Sequence, residues 1–522
     1  MGDLREVELD DEDEPAPRRP GSRRRRWWLL VAALVVVGTL VGVQATMDGR
    51  RRAHDARYDD VAGVLLPVPD ALRVAWQRPD VQAFVPASAE VAGRVVHAQI
   101  DGDHRHATIS VLDRASGEAV WTAHEALDAS VVDAIAAGEA RAERDAAAGA
   151  ESDAESDDAD ISDPATAQSG ATAVCAPLGR DHGACEIGWL TPWGDSTEPV
   201  ATQVVVVDVA GQAVVSSSAA VMRMAAAVGD TVVVATSTTR DDEVVWSLDA
   251  RDAHGRQRWT LTLDPVPVLR TKSGQSPPQT NATALGGHLL LVDQGHAWLI
   301  GDGSVLRDTD VGSGHYVMTA HGGALQAIPQ MGGGDELQYG RILLGDGQWL
   351  TAHGYAVTVT VDDGSAPDLL LVDDDVRERL VARDARTGWE LWSVPAGDVG
   401  TATVLGGVVL VSVGNTSDAT APSMTLEALD ARTGDVRWAR SLMDEPTDVP
   451  QPVEALTDGR AVYARWGAHL KAFALEDGAP LAARDLPPGA SGDDTYVTAT
   501  LGMLTSIDYS TDASSAGLDV LG

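Results

Sequence analysis

The sequence predicts an all-β protein: a β-propeller of eight blades, with seven as the alternative, preceded by one transmembrane helix. Three observations predict it. A motif of Asp, then Gly four residues on, then Trp four beyond that, occurs at Asp113-Gly117-Trp121, Asp384-Gly388-Trp392 and Asp430-Gly434-Trp438. Motif positions recur 41 residues apart (208 to 249) and 46 apart (384 to 430), which is room for four short strands and their turns, the size of a propeller blade. Ahead of all of them, Trp27 to Met47 is an uncharged stretch of 21 residues.

In chain order, residues 1–26 are polar, with an acidic run at 10–14 followed by Arg18, Arg19 and Arg23 to Arg26. The uncharged stretch would span about 30 Å as a helix, the thickness of a hydrocarbon core. Trp27 and Trp28 stand where interfacial aromatics belong, and the arginines before them predict a cytoplasmic amino terminus. Its length exceeds the roughly 7–15 apolar residues of a cleaved signal peptide, which favours an uncleaved signal anchor. Either reading puts residues 48–522 outside the cytoplasm. The boundaries that follow are a cytoplasmic tail 1–26, an anchor 27–47, a stalk 48–65 and an extracytoplasmic propeller 66–522.

The motif has a physical logic. Asp accepts backbone amides two residues ahead and starts a turn. Gly supplies the positive φ that the turn needs. Trp then ends the next strand with a large flat surface whose indole N–H is free to find a carbonyl. Asp249, Gly255 and Trp259 repeat the pattern with two residues inserted, and Asp208 with Gly211 give a shortened copy. Degenerate copies near 302, 345 and 475 bring the count to eight. Between copies, Val204–Val207, Leu289–Val292, Leu369–Val372 and Val408–Val411 are continuous apolar runs. Such runs suit strands covered on both faces, as the inner strands of a blade are. Ala71 to Trp76 reads as a Trp-ending strand that pairs with carboxy-terminal strands around Tyr496–Ile507 and closes the ring, removing its edges.

The motif positions 113 and 208 lie about two periods apart, and the excess holds residues 125–170, rich in Ala, Asp, Glu and Ser. Between Glu125 and Asp163 there are 13 acidic residues against two Arg. This reads as an acidic disordered insert, with partial helix as the alternative. Asp157, Asp158 and Asp160 within it lack the spacing of a calcium loop and read as solvated. Two cysteines, Cys175 and Cys185, flank Pro177, Gly179 and Gly183, residues that turn the chain, and are expected to form a disulfide across a hairpin in an oxidising compartment.

Ala428-Leu-Asp430-Ala-Arg-Thr433-Gly434-Asp-Val-Arg-Trp438, and almost as well Ala382 to Trp392, resemble the tryptophan-docking repeat of the pyrroloquinoline-quinone (PQQ) β-propeller superfamily, the quinoprotein alcohol dehydrogenase-like fold. The resemblance covers roughly residues 66–510. It implies the fold and leaves function open, because the superfamily includes quinoprotein dehydrogenases, outer-membrane assembly lipoproteins and other envelope proteins. A quinoprotein dehydrogenase would need its quinone, Ca²⁺ and a carboxylate base, and many relatives stack the quinone on a disulfide of adjacent cysteines. Here the cysteines are ten positions apart, and no motif carries the calcium ligands or the base. No haem-attachment or zinc-protease motif and no nucleophile elbow occurs. His104 and His106 are two apart, yet they read as turn residues rather than as a metal pair. No catalytic residue, cofactor or metal is therefore assigned.

The net charge of −39 argues against a nucleic-acid binder, which needs clustered cations. The expectation is a single-pass membrane protein displaying a non-enzymatic propeller that binds an envelope protein or an extracellular ligand. The alternatives are an envelope PQQ-dependent oxidoreductase and a ligand sensor signalling through a cytoplasmic partner.

Overall fold

A computed structural model describes residues 57–58, 61–78, 81–152, 170–190, 200–269, 280–285, 287–311, 315–329, 341–345, 347–352, 354–374, 376–415, 423–443, 453–491, 495–508 and 517–522. The expected anchor 27–47 and the tail before it lie outside these residues. Among the described residues no helix is long and apolar enough to cross a membrane.

The described strands form nine antiparallel sheets in chain order, of which the seventh also gains a parallel strand, Val359–Asp362. We number them blades 1 to 9: within 88–126, 170–222, 224–267, 281–310, 315–351, 355–395, 398–441, 456–485, and last 495–521 together with Val74–Arg78. The eight turn motifs fall one to a blade in blades 1 to 8. The ninth blade corrects the expected count of eight. Its third and fourth strands are Gly517–Leu521 and Val74–Arg78, the two ends of the propeller chain. No turn joins them, so this blade carries no Asp-Gly motif to be counted. Trp76 does lie on the closing strand, paired with Val520.

Nine core clusters hold the described residues, one between each pair of successive blades, and the last joins blade 9 to blade 1 through Leu518, Val520, Val95 and Leu112. The sheets therefore close into a ring. The continuous apolar runs are explained residue by residue. Val205 and Val207 face blade 1 while Val204 and Val206 face blade 3. Leu289 and Leu291 face blade 3 while Leu290 and Val292 face blade 5. First strands of neighbouring blades touch each other, so they are the innermost.

Two boundaries shift. The acidic insert is not disordered over its first half: Ala129–Ser152 is a helix. Asp128 caps it, accepting the Ser130 amide at 2.9 Å. Val131 and Ile135, one turn apart, are fully buried in the cluster between blades 1 and 2. One turn further, Gly138 leaves room for the Trp189 ring, which would stand 2.1 Å from a Cβ there. Residues 58–65, expected as the end of a stalk, belong to the compact unit. Tyr58, Val64 and Leu65 are buried against blades 7 to 9, and the compact unit begins at Tyr58.

Cys175 and Cys185 are directly opposed on the first two strands of blade 2 and joined as a disulfide. It closes a loop of sequence separation 10. Replacing both by Ala is expected to lower stability by about 2–3 kcal/mol through the freed unfolded chain. Denaturant midpoints under non-reducing conditions check this.

Candidate functional site

The motif side chains are committed to the fold. Asp113 Oδ1 accepts the Ala115 and Ser116 amides at 3.0 Å, and Asp384 Oδ1 those of Arg386 and Thr387 at 3.1 and 2.8 Å. Asp430 does the same with Arg432 and Thr433 at 3.0 and 3.2 Å. These bonds, with the Thr387 hydroxyl leading for Asp384 and the Arg437 guanidinium for Asp430, hold the carboxyls below their ordinary value. The glycines sit at φ between 67° and 75° (Gly117, Gly255, Gly388, Gly434).

Each docked Trp lies on the turn glycine of the following blade. A Cβ on Gly434 would stand 2.7 Å from the Trp392 ring, and one on Gly478 2.6 Å from Trp438. The indole N–H groups donate to Ala431 and Leu475 carbonyls at 3.0 and 3.1 Å. Trp76 docks on Gly117 with its N–H on the Arg114 carbonyl at 3.0 Å, and Trp259 lies on Gly303. Trp121 departs from the pattern and packs into the cluster between blades 1 and 2.

Asp249 is a correction. It lies within a strand opposite Thr260 and binds Arg251 at 2.6 Å. The turn before Gly255 belongs to Asp252, whose Oδ1 accepts the His254 and Arg256 amides at 3.0 Å. His104 and His106 do not converge: His104 meets Glu139 at 3.2 Å and His106 meets Asp103 at 3.4 Å.

With the repeats committed to packing, two features remain. On and beside the outermost strands the apolar residues divide. Trp392 and Trp438 go inward, while Trp389, Leu391 and Val436 point out with exposures of 74, 49 and 53%. The second feature is a cavity of about 500 Å³ on the first strands of blades 2, 3 and 4. Alanines dominate its wall (Ala225, Ala226, Ala227, Ala282, Ala284), and among the described residues Glu186 is the one ionisable side chain lining it.

Sequence reasoning missed Glu186. The signal was a carboxylate inside Ala184-Cys-Glu-Ile187, an otherwise apolar stretch of the second strand of blade 2. Its Oε2 accepts the Ala225 amide of blade 3 at 3.2 Å. Burial pushes its carboxyl up to about 7, with the Ala225 bond pulling the other way. Other second-strand residues make the same kind of bond to the next blade: Gln326 to the Ala356 amide, Asp373 to Val399 and Ser412 to Val453.

Residues 344–505 match the family model described as outer membrane protein assembly factor BamB. No curated protein matches the chain. Similar solved structures include BamB from Moraxella catarrhalis, at 14% identity and TM-score 0.30 over 63% of this chain and 95% of that one. Quinohemoprotein alcohol dehydrogenase ADHIIG from Pseudomonas putida HK5 shows 12% identity and TM-score 0.36 over 90% of this chain and 81% of that one. Likeness at this level assigns neither activity nor ligand.

The cavity does not fit PQQ with Ca²⁺. That quinone is multiply anionic, and the lining offers one carboxylate and one hydroxyl, Thr283, with no cationic side chain to meet it. Ca²⁺ takes 6–8 oxygen ligands, and among the described residues no group of three or more His, Cys, Asp or Glu gathers to hold a metal. The turn motifs, the tryptophans docked on the glycines of the next blade and the match over 344–505 give this chain a PQQ-like β-propeller fold.

Proposed function

We propose that this protein is a non-enzymatic binding propeller, held outside the cytoplasm by a membrane anchor at 27–47 with residues 1–26 inside, and that it docks a protein partner of the cell envelope. The observation that carries this reading is the outward apolar set at the outer edges of blades 6 and 7: Trp389, just before the outermost strand Glu390–Pro395, Leu391 on that strand, and Val436 on Val436–Ser441. Large apolar side chains left in the open are a feature of protein-docking surfaces. Among the described residues the outermost strands of blades 6 and 7 also have one unpaired edge, to which a partner strand can add. The family model's description, an assembly factor, supports the same reading.

The test is purification of the full chain from solubilised membranes, with mass spectrometry of what accompanies it. An envelope protein is expected to be enriched at least about tenfold with the wild type and lost with the double variant Trp389→Ser, Leu391→Ser. A partner retained by that variant overturns the docking surface. Recovery of the chain in the soluble fraction overturns the anchor, and stoichiometric PQQ binding with dye-linked alcohol oxidation overturns the non-enzymatic reading.

A further inference from the structure

We propose that the cavity bounded by the first strands of blades 2, 3 and 4 binds a small organic monocation, a primary or secondary amine whose ammonium pairs with Glu186 and whose apolar body lies on the alanine wall. This site is separate from the outer-strand surface and does not depend on a protein partner.

Its volume, about 500 Å³, lies in the range of small-molecule sites. The wall is apolar and built from small side chains, so an alkyl or cyclic body can lie close to the strands. One carboxylate enters it, and among the described residues it accepts the Ala225 amide at 3.2 Å. Glu186 is half-buried, and a carboxylate partly withdrawn from water among apolar groups is disfavoured until a cation or further donors meet it. The strands around Glu186 present Val174 and Val204 on either side and Ala225 across the blade interface. Arg223, two residues before Ala225, is turned toward Ser237 at 3.2 Å and Asp293 at 3.8 Å. Among the described residues, no cationic side chain lines the cavity beside Glu186.

The same lining decides between kinds of cation. A divalent metal needs more oxygen ligands than one carboxylate provides. A quaternary ammonium is favoured by aromatic faces, and among the described residues no aromatic side chain lines the cavity. An ammonium with N–H groups gains a charge-assisted hydrogen bond from Glu186. The chain's net charge of −39 raises the local concentration of such cations.

The wall is also braced from behind. Val174, Ala176, Ala184 and Glu186 face the cavity, while Cys175 and Cys185, the residues between them, turn to the opposite face and are joined by the disulfide. The hairpin that presents Glu186 is therefore held in place before any ligand arrives.

The test is calorimetric titration of the full-length protein in nanodiscs with cyclohexylmethylamine, cyclohexylmethanol and cyclohexanecarboxylate. The amine is expected to bind at pH 8, with the alcohol and the carboxylate at least about tenfold weaker. The amine stays protonated from pH 8 to 5.5, whereas Glu186, titrating near 7, becomes neutral. Amine affinity is therefore expected to fall about tenfold or more over that interval. Glu186→Gln keeps an oxygen for the Ala225 amide and is expected to remove this pH dependence together with at least about tenfold of the affinity.

Ala226→Leu, which fills the cavity and leaves Glu186 in place, is expected to abolish amine binding even if the glutamine variant does not fold. Trp389→Ser with Leu391→Ser is expected to leave amine binding unchanged, which separates this site from the partner surface. Equal binding of alcohol and amine, affinity that rises on acidification, or unchanged binding by Ala226→Leu overturns the proposal.

Discussion

Replacing Trp438 by Ala is expected to lower the free energy of unfolding by about 3–5 kcal/mol, against less than about 0.5 kcal/mol for Trp389→Ala. Both are tryptophans of the same repeat family, and only their places differ. Trp438 is 5% exposed within the core between blades 7 and 8, with Phe473 and Leu475 in the same cluster. Its N–H donates to the Leu475 carbonyl at 3.1 Å, so truncation removes that bond along with the ring. The space cannot refill easily, because the floor beneath the indole is the backbone of Gly478, held at φ 65° by its turn. Trp389, at 74% exposure, leaves no such void. Gly478→Ala approaches the same contact from the other side, since its Cβ would stand 2.6 Å from the Trp438 ring. Denaturant titration of the three variants checks the ranking. A loss below about 1 kcal/mol for Trp438→Ala would mean that tryptophan docking is not what joins the blades.

The legible part of this fold is the part in which one residue has one local job. Asp113, Asp384 and Asp430 bind amides two and three residues ahead, and their glycines follow at positive φ. Their spacing alone therefore announces the turn. The misreading at Asp249 has the same root. An Asp side chain reaches only a few residues along the chain, so Asp252, three before Gly255, was the physically able partner, and the distant Asp249 matched only by order.

Blade 9 was hard to count because its turn motif does not exist: the strands that would flank it are Gly517–Leu521 and Val74–Arg78, at opposite ends of the chain. Residues 129–152 were hidden by composition. Charge summed over the insert is strongly acidic, yet the Val131, Ile135 and Gly138 spacing is that of one helix face. The Glu186 cavity was illegible for a further reason. It is assembled from three blades, and each contributes ordinary alanines and valines whose meaning appears only when the first strands are brought together.

Deleting residues 517–522 is expected to abolish cooperative folding, the largest effect among these changes. Those residues place Leu518, Val520 and Leu521 at 0, 3 and 5% exposure in the clusters that join blade 9 to blades 1 and 8. At about 1.5–3 kcal/mol for each buried side chain, their removal costs about 5–9 kcal/mol, comparable to the whole stability of a typical domain. The loss is also topological. The deleted strand pairs with Met503–Asp508 on one side and Val74–Arg78 on the other, so two strand edges become unpaired and open to aggregation. Val74–Arg78 then has no partner strand, and Trp76 loses the support that sets it on Gly117 of blade 1.

Graded variants separate closure from bulk burial. Val520→Asp places an unpaired carboxylate at a site only 3% exposed and is expected to approach the deletion in effect. Asp519→Ser removes only the 2.8 Å bond from Gln77 and is expected to cost less than about 1 kcal/mol. Soluble yield, thermal transitions and limited proteolysis of the three proteins read the outcome. A deletion variant that melts like the wild type would mean that the ring is not held shut at blade 9. A variant that loses its transition while Asp519→Ser keeps it places the closure in the buried pairing of the two chain ends.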